Sequence, residues 1–422
     1  MASALDRLAD EIVDHRFRGL PPDAEGSTVG ALARERRDLG SGGFTTPVLT
    51  LSAEALDHNM RALGEFARRH GLAFAPHGKT SMAPALFQQQ IDHGAWGITV
   101  AVPHQARVAR AFGVQRVFLA NEVVDAAALA WLAGELAADA DFRCVVYADS
   151  TRGVRLMDEA LRAAGATRPL EVVVELGAPG GRTGTRGAEQ AAAVAAAVNA
   201  SPVLALVGVA GYEGEVPDAD PGSVRAWLRE LVALAVELDG EDQFAATGEI
   251  IVSAGGSAWF DAVAEVFAEL PELSRPVLGL LRSGAYVSHD DGRYREITPF
   301  NRLPQEGSLQ PAFRLWAQVV SRPEPGLALV NAGKRDVAYD LDLPEVQVLR
   351  SPGGEIVPAR GLTVTRLSDQ HAFVRGEDAE LPDVGDWVGL GMSHPCTIFD
   401  KWQLIPVVDA DGTVVDFVRT FF

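Results

Sequence analysis

Cysteine is scarce: Cys144 and Cys396 are the two in 422 residues. Two thiols cannot build a disulfide framework, so the expectation is a cytoplasmic chain kept in a reducing compartment. Positive charge is also short, with 37 Lys and Arg against 57 Asp and Glu and a net charge of −20. That balance argues against nucleic acid or an anionic membrane as a partner. It does not exclude a small anionic ligand, because the field inside a cleft can oppose the global charge. The first residues, Met1-Ala2-Ser3-Ala4-Leu5-Asp6, lack the basic and apolar regions of a signal peptide. The most apolar long stretch, about 190–212, is broken by Asn199, Ser201 and Pro202. It reads as a soluble helix followed by a strand, not as a membrane span.

What remains is ordinary globular composition, 47% hydrophobic and 22% charged, in a chain long enough for two domains. Residues 1–45 read as a lead-in expected to pack on the C-terminal domain. Leu5, Leu8, Ile12 and Val13 suggest one amphipathic helix, and 22–43 looks irregular. Thr46 to Leu51 reads as a strand, and Ser52 as the N-cap of a helix over 53–69. Short apolar strands then alternate with helical segments. The strands fall near 72–76, 97–101, 116–120, 144–148, 170–176, 204–210, 249–253 and 278–282. Several are continuous apolar runs, such as Val172-Val173-Val174, as in strands buried on both faces of a parallel sheet. Eight such units predict a TIM-type (β/α)8 barrel over 46–300, with an open doubly wound sheet as the alternative. From 301 to 422 strands follow one another without long helices, separated by turns such as Pro323-Glu324-Pro325-Gly326. That pattern predicts a mainly antiparallel β domain.

A barrel places chemistry at the C-terminal ends of its strands. The first strand runs into His77 and Lys79. The fifth runs into a glycine-rich loop carrying Arg182. The sixth reaches Gly211-Tyr212-Glu213-Gly214, the seventh Ser253-Ala254-Gly255-Gly256-Ser257, and the eighth Arg282-Ser283-Gly284-Ala285-Tyr286. Small residues ahead of a helix expose backbone N–H groups to an anion. Phosphate sites in barrels recur after strands seven and eight. Ser253, Gly255, Gly256, Ser257, Gly284 and Tyr286 are therefore phosphate candidates. A lysine at the mouth of a buried strand is a candidate nucleophile. Lys79 opposite a phosphate cradle leaves room for a flat ring, which suggests pyridoxal phosphate carried on Lys79 as a Schiff base. In the β domain, His394 and Cys396 stand two apart. On a strand they would share a face, either as part of an open divalent-metal site or as a buried thiol beside a hydrogen-bonded imidazole.

These motifs resemble, in order and over about residues 45–422, the D-serine dehydratase and D-threonine aldolase group of fold type III pyridoxal phosphate enzymes, which is related to alanine racemase. They are Pro76-His77-Gly78-Lys79-Thr80, the Arg182 loop, Gly211-Tyr212-Glu213-Gly214, Gly255-Gly256-Ser257, Arg282-Ser283-Gly284-Ala285-Tyr286 and His394-Pro395-Cys396. The resemblance implies an alanine-racemase-like barrel with a β domain, in a homodimer. It implies that Lys79 anchors the cofactor, Arg182 faces its 3′-oxygen and Tyr212 lies beside the pyridine ring. It also implies that His394 and Cys396 bind Zn2+, Mn2+ or another divalent ion. The first functional reading is a dehydratase that turns a β-hydroxy D-amino acid such as D-serine into a 2-oxo acid and ammonia. In it Lys79 takes the Cα proton, and His77 is a second catalytic candidate. The alternative is a D-threonine-type aldolase giving glycine and an aldehyde. Racemisation and a non-catalytic cofactor-binding role rank below both. Within the group, His-x-Cys goes with dehydratases and His-x-Asp with aldolases. The chain departs from the group at Ala75, Gly78, Ser81 and Met82, where Arg, Val, His and Lys are common. These positions lie near the cofactor, so they leave the substrate open.

Overall fold

A computed structural model describes residues 4–422. The chain divides into two compact units. One comprises residues up to Leu63, Thr80–Leu86 and Ala285–Phe422; the other comprises Gly64–Lys79 and Phe87–Gly284.

The second unit is a parallel barrel. Its strands are β2 (Ala73–Phe74), β3 (Ile98–Val100), β4 (Arg116–Glu122), β5 (Arg143–Ala148), β6 (Leu170–Leu176), β7 (Leu204–Gly211), β8 (Ile250–Ala254) and β9 (Val277–Leu281). β2 pairs with β9, and pairing then runs in sequence order from β9 back to β3. The ring closes where Trp96 N donates to Phe74 O at 2.6 Å and Thr99 N to Pro76 O at 2.9 Å. His77 and Thr99 form a parallel bridge in the same seam. The expected barrel is present, and the open-sheet alternative falls with the closure.

The apolar runs explain why it forms. Val172, Val173 and Val174 are all fully buried, as are Val145 and Val146, because inner residues fill the barrel and outer ones meet helices. The inner layer includes Ala75, Phe118, Val145, Tyr147, Val173, Val207, Ile251 and Leu280. Helices start at polar caps. Asp125 accepts from Ala128 N at 2.9 Å, Ser150 from Gly153 N at 3.2 Å, and Asp220 closes a capping box with Ser223. Among the described residues, no helix is long and apolar enough to cross a membrane.

The other unit is built on β1 (Val48–Ser52), β10 (Phe313–Glu324), β11 (Leu327–Val330), β12 (Glu345–Arg350), β13 (Ile356–Pro358), β14 (Thr363–Leu367), β15 (Ala372–Arg375), β16 (Trp387–Gly391), β17 (Leu404–Val408) and β18 (Val414–Arg419). The main path is β13-β12-β16-β10-β1-β17-β18. β1 lies antiparallel to β10 and parallel to β17, so the first strand in the chain belongs to this sheet. Ser52 Oγ accepts from Ala55 N at 3.2 Å and starts the next helix.

The N-terminal segment is not the expected helix over Leu5 to Val13. A 3-10 turn covers Asp6–Asp10, and Ile12 bridges to Thr28. Within 22–43, expected to be irregular, Thr28 accepts from Ala31 N at 3.1 Å and caps a helix over Val29–Arg34. Val13, Phe17, Leu20, Leu32 and Phe44 pack with Trp316, Leu404 and Phe417 in one core. The spacing of these apolar residues serves that core, not a helix period.

Candidate active site

In the barrel unit β2 ends at Phe74, and pairing continues through Pro76 and His77. The turn Gly78–Thr80 then presents Lys79, which is half-buried. The chain has three lysines, a scarcity of its own. The other two, Lys334 and Lys401, lie in the β unit with their ammonium groups 5.8 and 5.9 Å from the Tyr339 ring centroid. Lys79 is thus the one lysine that the barrel offers a carbonyl cofactor. His77 N donates to Ser283 O at 3.4 Å, while its Nδ1 is buried without a partner among the described residues. Burial, then the Lys79, Arg282 and Arg182 cations, hold this imidazole well below its ordinary range. His77 is therefore neutral at physiological pH.

Arg182, Tyr212 and the Gly255-Gly256 loop come together. The Arg182 guanidinium stands 5.1 Å from the Tyr212 ring centroid, and its Nε lies 3.6 Å from Glu215 Oε1. Burial, then the Glu213 charge, push the Tyr212 phenol up to about 12, so the ring keeps its proton. Gly255 has φ +106°, and a Cβ there would lie 2.2 Å from Leu281 Cδ1. A Cβ on Gly256 would lie 2.7 Å from the Tyr212 ring. The loop must be glycine to pass between those side chains.

Two expected phosphate contacts are arranged differently. Gly255 N donates to Glu213 Oε2 at 2.9 Å and Gly256 N to Glu213 Oε1 at 2.5 Å, so a buried carboxylate from the β7 loop already holds both. Ser253 is fully buried. Its hydroxyl donates to Leu280 O at 2.9 Å and accepts from Arg282 Nε at 2.8 Å. Its one hydroxyl proton is therefore committed within the sheet. Ser257 follows the pair of glycines, and Ser283 Oγ, beside Gly284, donates to Gly256 O at 2.9 Å. Tyr286 belongs to the other unit, buried in the turn Ala285–Val287.

The β unit holds His394 and Cys396, and strand alternation is not what pairs them. β16 ends at Gly391. His394 takes φ +63°, Pro395 follows, and Cys396 opens a short helix, Cys396–Phe399. The left-handed residue is pinned by Asp290, whose Oδ2 accepts from His394 N at 2.8 Å. Asp290 Oδ1 in turn accepts from Tyr294 N at 2.8 Å and Gly292 N at 3.1 Å.

His394 Nδ1 lies 2.5 Å from Asp340 Oδ2, while Asp340 Oδ1 accepts from Thr397 Oγ1 at 2.7 Å. Cys396 Sγ is 3.4 Å from Thr80 Oγ1. A hydrogen bond with Cys396, then one with Asp340, push the imidazole up to about 9 against the effect of burial. The carboxylate accepts from Nδ1–H, which leaves Nε2 as the nitrogen that could serve as a ligand once deprotonated. An imidazole and a thiol side by side are donor types that an open divalent-metal site uses. Asp340 and Asp290 carried no sequence motif, since they sit 54 and 104 residues from His394.

The comparisons follow this geometry. Residues 51–266 match the alanine racemase N-terminal domain family, and 312–408 match the family described as "Putative serine dehydratase domain". A D-threonine aldolase of Arthrobacter sp is 31% identical over 377 residues, covering 88% of this chain and 90% of its own. A 3-hydroxy-D-aspartate aldolase of Paracoccus denitrificans (strain Pd 1222) is 26% identical over 365 residues, covering 84% and 87%. The crystal structure of D-threonine aldolase from Filomicrobium marinum superposes with a TM-score of 0.73 at 25% identity, over 90% of this chain and 95% of that one. D-threo-3-hydroxyaspartate dehydratase from Delftia sp. HT23 shares the fold, with a TM-score of 0.69 at 20% identity over 91% and 99%.

Proposed function

Because the chain belongs to the fold type III pyridoxal phosphate lyases of D-amino acids, we propose that it cleaves the Cα–Cβ bond of a β-hydroxy D-amino acid. The products are glycine, or its analogue, and an aldehyde. The observation that carries this reading is the 31% identity to a D-threonine aldolase across 88% of the chain. That likeness reverses the order in which the motifs alone rank the two reactions. Dehydration is the second reading, favoured by the thiol of Cys396 where aldolases of the group tend to carry a carboxylate.

The residues present fit the cofactor. Lys79 is the barrel's one lysine, and His77 Nδ1 is buried two residues from it without a partner among the described residues. In this reading Lys79 would hold pyridoxal phosphate, Arg182 and Tyr212 would flank its ring, and Ser257 and Gly284 would line its phosphate. When bound, the cofactor supplies an electron sink for the charge left at Cα. The Lys79 amine would supply the proton that Cα gains once the Cα–Cβ bond is broken, matching the proton lost from the β-hydroxyl; in the dehydration reading it would instead take the Cα proton. Neutral His77 contributes an imidazole that donates or accepts without adding a positive charge beside Lys79. His394 Nε2 and Cys396 Sγ would hold a divalent ion, with Zn2+ favoured by the sulfur ligand and Mn2+ or another divalent ion the alternative. That ion supplies a Lewis acid for a hydroxyl group. Assembly as a homodimer is part of the same proposal, and light scattering on the purified protein tests it.

The deciding experiment incubates the enzyme with D-threonine, D-serine and 3-hydroxy-D-aspartate, with and without added metal, and identifies products. Glycine with an aldehyde is expected. A 2-oxo acid and ammonia without glycine would replace cleavage by dehydration.

A further inference from the structure

Three barrel strands carry a carboxylate to the same place, outside the lysine, arginine and glycine constellation described above. Alternation along a strand puts every second residue on the inner face. Phe118, Val145, Tyr147 and Val173 lie in the barrel interior. The inner rows therefore continue toward the rim as Glu122 on β4, Asp149 just after β5 and Glu175 on β6. A register slip after Leu119 sets Glu122 opposite Tyr147. One ligating oxygen from each of Glu122, Asp149 and Glu175 lies within 4.8 Å of the others.

This cluster is short of donors. Both Glu122 oxygens and Glu175 Oε2 are buried without a hydrogen-bond partner among the described residues. When ionised, the facing Glu122 and Glu175 carboxylates only accept, so one satisfies the other only by keeping a proton; Thr183 also bonds Glu175. Asp149 Oδ2 accepts from Gly184 N at 3.2 Å. The independent pointer is Tyr147. Its side chain is 2% exposed, its ring sits edge-on to Phe118 with centroids 5.9 Å apart, and its hydroxyl has no partner. Tyr147 lies in the inner layer, and its hydroxyl feels the charges of both Glu175 and Glu122. Arg282 is near, 5.8 Å from the Tyr147 ring centroid, but its Nε and Nη2 donate to Ser253 Oγ and Gly211 O. Arg282 and Arg182 both bear on this place, so three ionised carboxylates would leave one negative charge uncompensated where little water reaches, which is costly. Burial, then Glu175, push the Glu122 carboxyl up to about 8, which expresses that cost.

We propose that Glu122, Asp149, Glu175 and the Tyr147 hydroxyl bind a hard divalent cation, Mg2+ or Mn2+, separate from the ion at His394 and Cys396. The donors are all oxygen, the set that Mg2+ and Mn2+ prefer and that a thiophilic ion does not. A shared proton is the competing explanation. It would serve one O···O contact and leave the second Glu122 oxygen and the Tyr147 hydroxyl unsatisfied. A divalent ion answers all of these atoms and offsets the carboxylate charge.

The test uses holoenzyme stripped of metal with EDTA and titrated with Mn2+, the free ion being read by electron paramagnetic resonance. The His394→Ala/Cys396→Ala double variant should still take up Mn2+, and excess Mg2+ should release it. Glu122→Gln and Glu175→Gln in that background should each weaken uptake by about tenfold or more. Tyr147→Phe, which keeps the ring and its packing, should weaken it less and serves if a Gln variant fails to fold. Uptake unchanged in all of these variants would overturn the proposal. So would no uptake by the His394→Ala/Cys396→Ala protein together with a protonated-carboxyl infrared band that Glu122→Gln removes. None of these readouts depends on turnover, so the reaction catalysed can be misassigned without affecting the outcome.

Discussion

His394 Nδ1 sits 2.5 Å from Asp340 Oδ2, and that contact decides which imidazole nitrogen faces outward. Asp340 is itself steadied by Thr397 Oγ1 at 2.7 Å. Removing the carboxylate in Asp340→Ala frees the ring to rotate and change tautomer while both proposed metal ligands remain. Divalent-metal affinity should fall about 10- to 100-fold, measured by competition with a chelating indicator. Turnover lost in the variant should return on raising the metal concentration. Activity that stays low at saturating metal would instead assign Asp340 a role in the chemistry.

The Glu213 carboxylate plays a comparable part in the barrel by accepting from both Gly255 N and Gly256 N. Glutamine has one acceptor oxygen, so Glu213→Gln leaves one N–H facing an amide NH2 in a fully buried place. The cost should be about 1–3 kcal/mol of stability. Because the same loop lies against Tyr212, cofactor retention on dialysis should drop with it. A variant with wild-type melting and undiminished cofactor content would show that the loop holds its shape without this carboxylate.

These two acids mark where the sequence stops being readable. The barrel was legible because strands buried on both faces must be continuously apolar, and because glycines and polar caps punctuate the units. Lys79, Arg182, Tyr212 and the glycine loop were legible because a barrel brings strand ends together whatever the side chains. Asp340 and Glu213 act through a partner fixed only by the tertiary fold, and in the sequence each looks like any turn acid. The N-terminal segment misled for a related reason. Val13, Phe17 and Leu20 serve one core from an irregular backbone, since Gly19 at φ +82° and Pro21-Pro22 forbid a continuous helix. His394 and Cys396 were readable as a pair, but their geometry was not, because a left-handed residue cannot be inferred from spacing.

Gly78 shows why one departure from related sequences is tolerated. A Cβ at this position would lie 2.7 Å from Ile98 Cγ2 and 2.8 Å from Phe87 Cε1. Both neighbours are fully buried and cannot move aside cheaply. Valine, common here in the group, has no room unless Phe87 is smaller. Gly78→Val should cost about 1–3 kcal/mol through overpacking. Phe87→Leu, destabilising by itself, should recover part of that loss in the double variant, so a thermodynamic cycle should show coupling. Additive losses would mean that the crowding is relieved elsewhere.

His289 gives the protein a pH dependence of defined sign. The residue is 3% exposed, and its backbone adopts φ +48° with N donating to Ala285 O at 2.8 Å. Burial, then the Arg295 cation, hold the imidazole at about 4 instead of the usual 6.5. Between those values the unfolded chain binds a proton that the folded protein refuses. The stabilisation is therefore complete above pH 6.5 and is lost as the pH falls toward 4, by roughly 3 kcal/mol in all. His289→Asn keeps a residue that accepts the left-handed conformation and removes the titrating group. Urea unfolding of both proteins between about pH 7 and pH 5 should show a shallower loss of stability in the variant. His77, also buried and neutral, contributes in the same direction, so some slope persists in His289→Asn. Parallel profiles for the two proteins would mean that His289 meets water or an acceptor as it protonates.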